Sequence, residues 1–201
     1  MQCQLPTIIK APQKLPGFVE GSVVLIGNFD GVHKGHQAIL AAGKAKADAL
    51  NLPLVALTFD PHPREVLSPE KAPQRLTHLP EKADLLKAHG ADIVYVISFT
   101  KAYAQTPADA FIKQTLAAAL KAKHIIVGAD FAFGKGRGGD VDALKTAGVK
   151  YGFDVTAVAP EGEGGAVYSS TAVREAIAAG DNTRARRILG HDIKRLTGEK
   201  S

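Results

Sequence analysis

Gly27-Asn28-Phe29-Asp30-Gly31-Val32-His33-Lys34-Gly35-His36 joins an apolar run to a helical one. Before it, residues 23–26 (Val-Val-Leu-Ile) read as a buried strand. After it, residues 37 to about 50 are rich in Ala, Leu and Lys and read as a helix. Gly27, Gly31 and Gly35 let the backbone turn sharply and approach a ligand closely. His33 and His36 are three apart, so a helix starting near His33 puts both imidazoles on one face of its first turn. The same turn presents free backbone N–H groups and the positive end of the helix dipole. Glycines, two imidazoles and a helix start together make a phosphate site, so Gly27, Asn28, Phe29 and Gly35 are candidate nucleotide contacts.

The same alternation runs along the chain. Strands are predicted at 54–59, 93–97, 124–127 and 153–158. Helices are predicted at 81–89, from Thr106-Pro107 onward, at 140–151, 172–179 and 183–189. Thr106 is read as N-cap with Pro107 at the first helical position, and Ile112, Leu116, Ala119 and Leu120 form the apolar face. Residues 1–21 read as a proline-interrupted lead-in with room for an edge strand at Ile8-Ile9, and residues 64–78 as a long loop. Doubly apolar strands alternating with helices predict an α/β fold, an open parallel sheet with helices on both faces. One domain over 1–190 with a polar tail at 191–201 is expected.

Three further constellations carry chemistry. Tyr168-Ser169-Ser170-Thr171-Ala172-Val173-Arg174 places three successive hydroxyls at a helix start, with an arginine one turn on. One serine would serve as an ordinary cap; the arginine adds a bidentate fork for phosphate oxygens. Gly128-Ala129-Asp130-Phe131-Ala132-Phe133-Gly134 opens a Gly-rich loop after a strand. It has the wrong spacing for a P-loop, and its G-x-G-x-x-G at 134–139 lacks the tight strand-turn-helix setting that motif requires. Thr58-Phe59-Asp60-Pro61-His62-Pro63 stiffens the end of a strand, where the crevice of an open α/β sheet lies.

His-Lys-Gly-His at 33–36 resembles the H-x-G-H motif of the nucleotidylyltransferase superfamily. The ten-residue form, with S-S-T-x-x-R at 169–174, G-x-[N/D]-F-x-F-G at 128–134 and T-F-x-P-H-P at 58–63, is similar to the FAD synthetase module of bacterial bifunctional riboflavin kinase/FAD synthetases. The resemblance covers about 23–190 and implies a Rossmann-like nucleotidylyltransferase fold. It implies transfer of AMP from MgATP to the phosphate of FMN, giving FAD and pyrophosphate. His33, His36 and Arg174 would be catalytic, with His36 the stronger candidate, and Ser170 and Thr171 would bind the triphosphate. Asp130, Phe133, Phe111, Pro61 and His62 would border the flavin; burial in the core is the blander reading of Phe111 and of one of the 131/133 pair. Arg75-Leu76-Thr77 resembles another family segment, with a loop-ordering or substrate-closing role at most. Magnesium would arrive with ATP, held by phosphates and water, with no protein metal ligand. The Pro-Thr-Ala-Asn run of the family's kinase domain is not found, so kinase activity is not expected. Two rivals remain: a superfamily enzyme using another acceptor (pantetheine phosphate or nicotinamide mononucleotide) or a cytidylyl donor, and a flavin- or nucleotide-binding module without turnover.

Composition excludes several other classes. The 201 residues are 45% hydrophobic and 22% charged, as in ordinary globular domains. A net charge of +5 suits anionic substrates. With 6% aromatics and no Trp, stacking on nucleic acid is disfavoured. The one cysteine, Cys3, allows neither an internal disulfide nor a cysteine metal cluster. No apolar run reaches the ~18 residues of a membrane span, and the first ten residues lack a signal-like core, so a cytoplasmic location is expected.

Overall fold

The computed structural model describes residues 7–197, so Cys3 and the last four residues lie outside it. In chain order the strands are β1 (Ile8–Lys10), β2 (Ser22–Ile26), β3 (Leu54–Asp60), β4 (Ile93–Ser98), β5 (Ala122–Gly128), β6 (Ala132–Phe133), β7 (Gly139–Asp140), β8 (Asp154–Val158), β9 (Gly162–Glu163) and β10 (Ala166–Val167). The helices are α1 (Lys34–Leu50), α2 (Pro63–Leu67), α3 (Leu79–Ala88), α4 (Ala108–Ala110, continued as a wider π-helix over Phe111–Ala119), α5 (Val141–Tyr151), α6 (Ser170–Ala178), α7 (Asn182–Leu189) and α8 (Lys194–Thr197).

Six strands form one sheet in the order β1-β4-β3-β2-β5-β8, with every pair parallel. The chain enters the middle at β2, moves outward to β3 and β4, then crosses to β5 and β8. The direction of winding therefore reverses between β2 and β5, where the ligand crevice of an open α/β sheet opens. Side chains alternate across the sheet: Val24, Val55, Ile93 and Ile125 pack with α4 and α5, while Val23, Leu25, Leu54 and Ile126 pack with α1 and α3. The sheet is thus covered on both faces, as its continuous apolar strands predict. No helix among the described residues is long and apolar enough to cross a membrane.

Three local expectations change. Residues 64–78 include α2 and a 3-10 turn at Pro69–Lys71; five residues capped by His62 and opened by Pro63 are too few to show a period. The N-cap of α4 is Pro107, not Thr106. The Thr106 carbonyl accepts from the N–H of Lys135 at 2.8 Å, and Phe111 N–H bonds Pro107 instead. The foreseen face of that helix, Ile112, Leu116, Ala119 and Leu120, is buried all the same. Finally, the stretch read as a polar tail packs as far as α8. Ile193 is buried with Leu76, Val173 and Leu189, and the Lys194 N–H donates to Glu81 at 2.7 Å.

Candidate active site

The turn after β2 is held from both sides. Gly27 N–H donates to Leu57 O at 3.1 Å, tying the turn to β3. The next residues take left-handed backbone at Phe29 (φ 49), Gly31 (φ 81) and Val32 (φ 42). A β-carbon on Gly31 would also stand 2.8 Å from the Leu76 side chain. Phe29 is buried and meets the His36 ring edge-on at 5.2 Å, so it supports the imidazole from below and offers no open surface to a nucleotide. The Asn28 side chain is exposed, while its carbonyl points inward to Thr58 and Lys82.

His33 is the N-cap of α1 but makes no side-chain cap, which leaves its ring free for other use. It stacks on His36 with centroids 3.7 Å apart and planes at 23°. Gly35 makes this possible, since a β-carbon there would lie 3.2 Å from His33 Nδ1 and 3.3 Å from the Tyr168 carbonyl. Nδ1 of each ring is buried and bonds no protein atom. Burial pushes the pKa of His33 down to about 4; Asp30 opposes that shift and Arg174 adds to it. His36 is held well below the ordinary imidazole range by burial first, then by His33 and Lys82. Both rings are therefore neutral at pH 7.

A stability consequence follows from that shift. The unfolded chain protonates His33 near pH 6.5 and the native state only near 4, so the unfolded state binds more protons between these values. Stability present above pH 6.5 is lost as pH falls toward 4, by up to about 3 kcal/mol. Urea unfolding at pH 7 and 4.5 should show the loss, and His33→Gln should remove much of it. A loss of equal size in the variant would mean that other groups cause it.

Asp30 joins the two distant halves. Its buried carboxylate accepts from Leu76 N–H and Thr77 N–H, both at 3.0 Å, and forms a short ion pair with the Arg174 guanidinium. Ser169 caps α6, accepting from Ala172 N–H at 3.1 Å. Ser170 Oγ donates to the Asp30 carbonyl at 2.8 Å, and Thr171 is exposed on the first turn of α6. Arg174 Nε also donates to Gln74 O at 2.8 Å. Segments 30–36, 74–77 and 169–174 thus converge, and the charge of Arg174 is felt at His33.

The strand ends beside them complete the crevice. His62 is half-buried and caps α2, its Nδ1 accepting from Arg64 N–H at 3.2 Å. Arg75 grips Glu65 with two bonds of 2.5 and 2.7 Å and Asp60 with a third at 2.9 Å. Asp30, Asp60, His62, Arg75, Thr77 and Lys82 line a small pocket next to Pro61, with room for about one water molecule. The Gly128 loop leaves the end of β5 beside β2 and folds into the β6–β7 ribbon. Phe133 and Phe111 are buried in the main core, 5.4 Å apart. Phe131, stacked on Phe133, is only half-buried, and Asp130 is exposed. Asp30 and Lys82 carry structural roles that sequence reasoning did not assign. Asp30 stands inside the opening motif, but its partners lie 46, 47 and 144 residues away. Lys82 belongs to no motif. Among the described residues no group of three His, Cys, Asp or Glu side chains is placed to hold a metal ion.

Comparison with known proteins identifies the family. The model of the FAD synthetase family matches residues 16–172. The bifunctional riboflavin kinase/FMN adenylyltransferase of Escherichia coli (strain K12) is 44% identical over 172 residues, 86% of this chain and 55% of that protein. The proteins of the same name from Pseudomonas fluorescens and Listeria monocytogenes are 42% and 39% identical, over 87% and 84% of this chain and 56% and 54% of theirs. The chain spans about half the length of the curated relatives it matches. A solved structure titled as a macrolide-efflux protein from Streptococcus pneumoniae superposes with a TM-score of 0.76 at 31% identity, over 91% of this chain and 62% of that one. With its motifs gathered at the switch point of the sheet, the chain belongs to the FAD synthetase family.

Proposed function

We propose that this chain transfers AMP from MgATP to the phosphate of FMN, giving FAD and pyrophosphate. The observation that carries the reading is the meeting of His33, His36 and Arg174 around Asp30 at the winding reversal of the sheet. Similarity to relatives named FMN adenylyltransferase supplies the acceptor.

A phosphate oxygen of FMN attacks the α-phosphorus of ATP, and the bond to the β-phosphate oxygen breaks as pyrophosphate leaves. The attacking group is anionic at neutral pH, so the protein supplies alignment and charge stabilisation rather than a strong base. Two neutral imidazoles at the helix start donate N–H bonds to triphosphate oxygens, and an approaching polyanion favours their protonation. Arg174, with Ser170 and Thr171 beside it, offers its fork to the phosphates. The carboxylates of Asp30 and Asp60 are engaged by Arg174 and Arg75, so magnesium enters as part of the substrate, bound to phosphate and water. The flavin lies across the crevice toward Pro61, His62 and the 128–134 loop, where Asp130 and the Phe131–Phe133 stack offer a polar edge and an apolar face.

Incubating the protein with FMN and MgATP should yield FAD and pyrophosphate in equal amounts. Nicotinamide mononucleotide and 4′-phosphopantetheine should give little pyrophosphate under the same conditions. Tight flavin binding without pyrophosphate release would overturn the enzymatic reading.

A further inference from the structure

We infer that Lys82 is a positioning residue for this reaction, tying the histidine turn to the end of β3 and holding a fixed positive charge beneath the imidazoles. The inference rests on the proposed adenylyl transfer. Lys82 stands in α3, outside every motif, and is 6% exposed. Its ammonium donates to Asn28 O at 3.0 Å, Thr58 Oγ1 at 3.3 Å and Phe59 O at 3.4 Å, which uses all three of its protons. These acceptors are the ends of β2 and β3, where the crevice opens. Thr58 Oγ1 in turn donates to Asn28 O at 3.1 Å, so lysine, threonine and carbonyl form a closed brace. Asn28 leads directly into Phe29, whose ring supports His36.

A brace alone does not call for a charge. A buried ammonium is costly unless an anion compensates it. Among the described residues no carboxylate pairs with Lys82: Asp30 is bound by Arg174, and Asp60 and Glu65 by Arg75. Burial accordingly lowers the pKa of Lys82, opposed at longer range by Asp30, Asp60 and Glu65 and reinforced by Arg75. His36 feels the lysine directly, after burial and after His33. A cation lodged among neutral oxygens leaves its field for whatever enters the crevice. A triphosphate gains from it, and an imidazolium at 36 is disfavoured until that anion arrives.

Lys82→Met removes donor and charge, Lys82→Gln removes the charge but keeps a donor, and Thr58→Val weakens the brace alone. The first measurement needs no turnover: NMR titration of the His36 ring in the substrate-free protein. Its midpoint should rise in both lysine variants and stay in place in Thr58→Val. The second is steady-state FAD formation, where kcat should fall about tenfold to a hundredfold in both lysine variants. The KM for FMN should change by less than about threefold, because the charge removed is the one offered to the triphosphate. An unmoved His36 midpoint in Lys82→Gln, or wild-type kcat in that variant, would overturn the inference. A native protein that makes no FAD sinks the proposed function instead, while the titration still decides the electrostatic role of Lys82.

Discussion

His36→Ala is expected to lower kcat for FAD formation on the order of a thousandfold, because an electrostatic donor to the reacting phosphates is removed from a buried site. The ring sits in the first turn of α1, stacked on His33 and edge-on to Phe29, so its place is set by rigid neighbours. The left-handed turn, the Asp30 anchors and the caps of α6 do not depend on that ring. Circular dichroism and the unfolding midpoint should therefore stay close to the native values. Affinity for a non-hydrolysable ATP analogue should fall far less than kcat, since stabilisation made only in the transition state appears in turnover. An unchanged kcat would remove His36 from the reaction.

Asp30→Ala should have the largest effect on stability, a loss of about 3–5 kcal/mol, because it strands a partly buried guanidinium. The side chains of Arg174 and Asp30 are 19% and 6% exposed, so water replaces little of what is lost. The same substitution takes the acceptor from Leu76 N–H and Thr77 N–H, which fastens the 74–77 segment to the histidine turn. Asp30→Asn keeps at Oδ1 the acceptor that both amides share but loses the ion pair, and its cost should be intermediate. Urea denaturation of the three proteins checks the order. A loss below about 1 kcal/mol in Asp30→Ala would show that these bonds are made equally well with water. Turnover should fall in both variants, because Arg174 loses the partner that aims it.

The two variants separate local from distant information. The role proposed for His36 was legible because its motif sits in ten consecutive residues: strand, glycine turn, helix start and two imidazoles three apart. The same holds for Ser169 to Arg174, where the cap and the groups proposed to hold phosphate share one helix start. Asp30 and Lys82 were not legible in this way. A carboxylate near a phosphate site looks unfavourable until its arginine and amide partners are in place, and those come from residues 74–77 and 174. A lysine in a short helix looks like any solvated lysine until Thr58 and Asn28 close around it. Phe133 and Phe111 carry a similar lesson. Their motif named the loop, but packing against the main core decided that Phe131 is the more exposed of the three rings.

The sequence by itself determined the alternation of elements, the parallel sheet and the two helix starts proposed to bind phosphate. Those properties follow from apolar periodicity and turn chemistry within a few residues of each other. Only the tertiary structure decided that these starts face one another, with Asp30 between them and Lys82 beneath. It also decided that 191–197 packs back on α3 and α6 through Ile193 and the Glu81 contact. The reason is physical: hydrogen bonds and ion pairs across more than a hundred residues exist only after the sheet has brought the ends of β2 and β3 side by side. Burial then turns ordinary imidazoles and a lysine into groups whose charges are coupled.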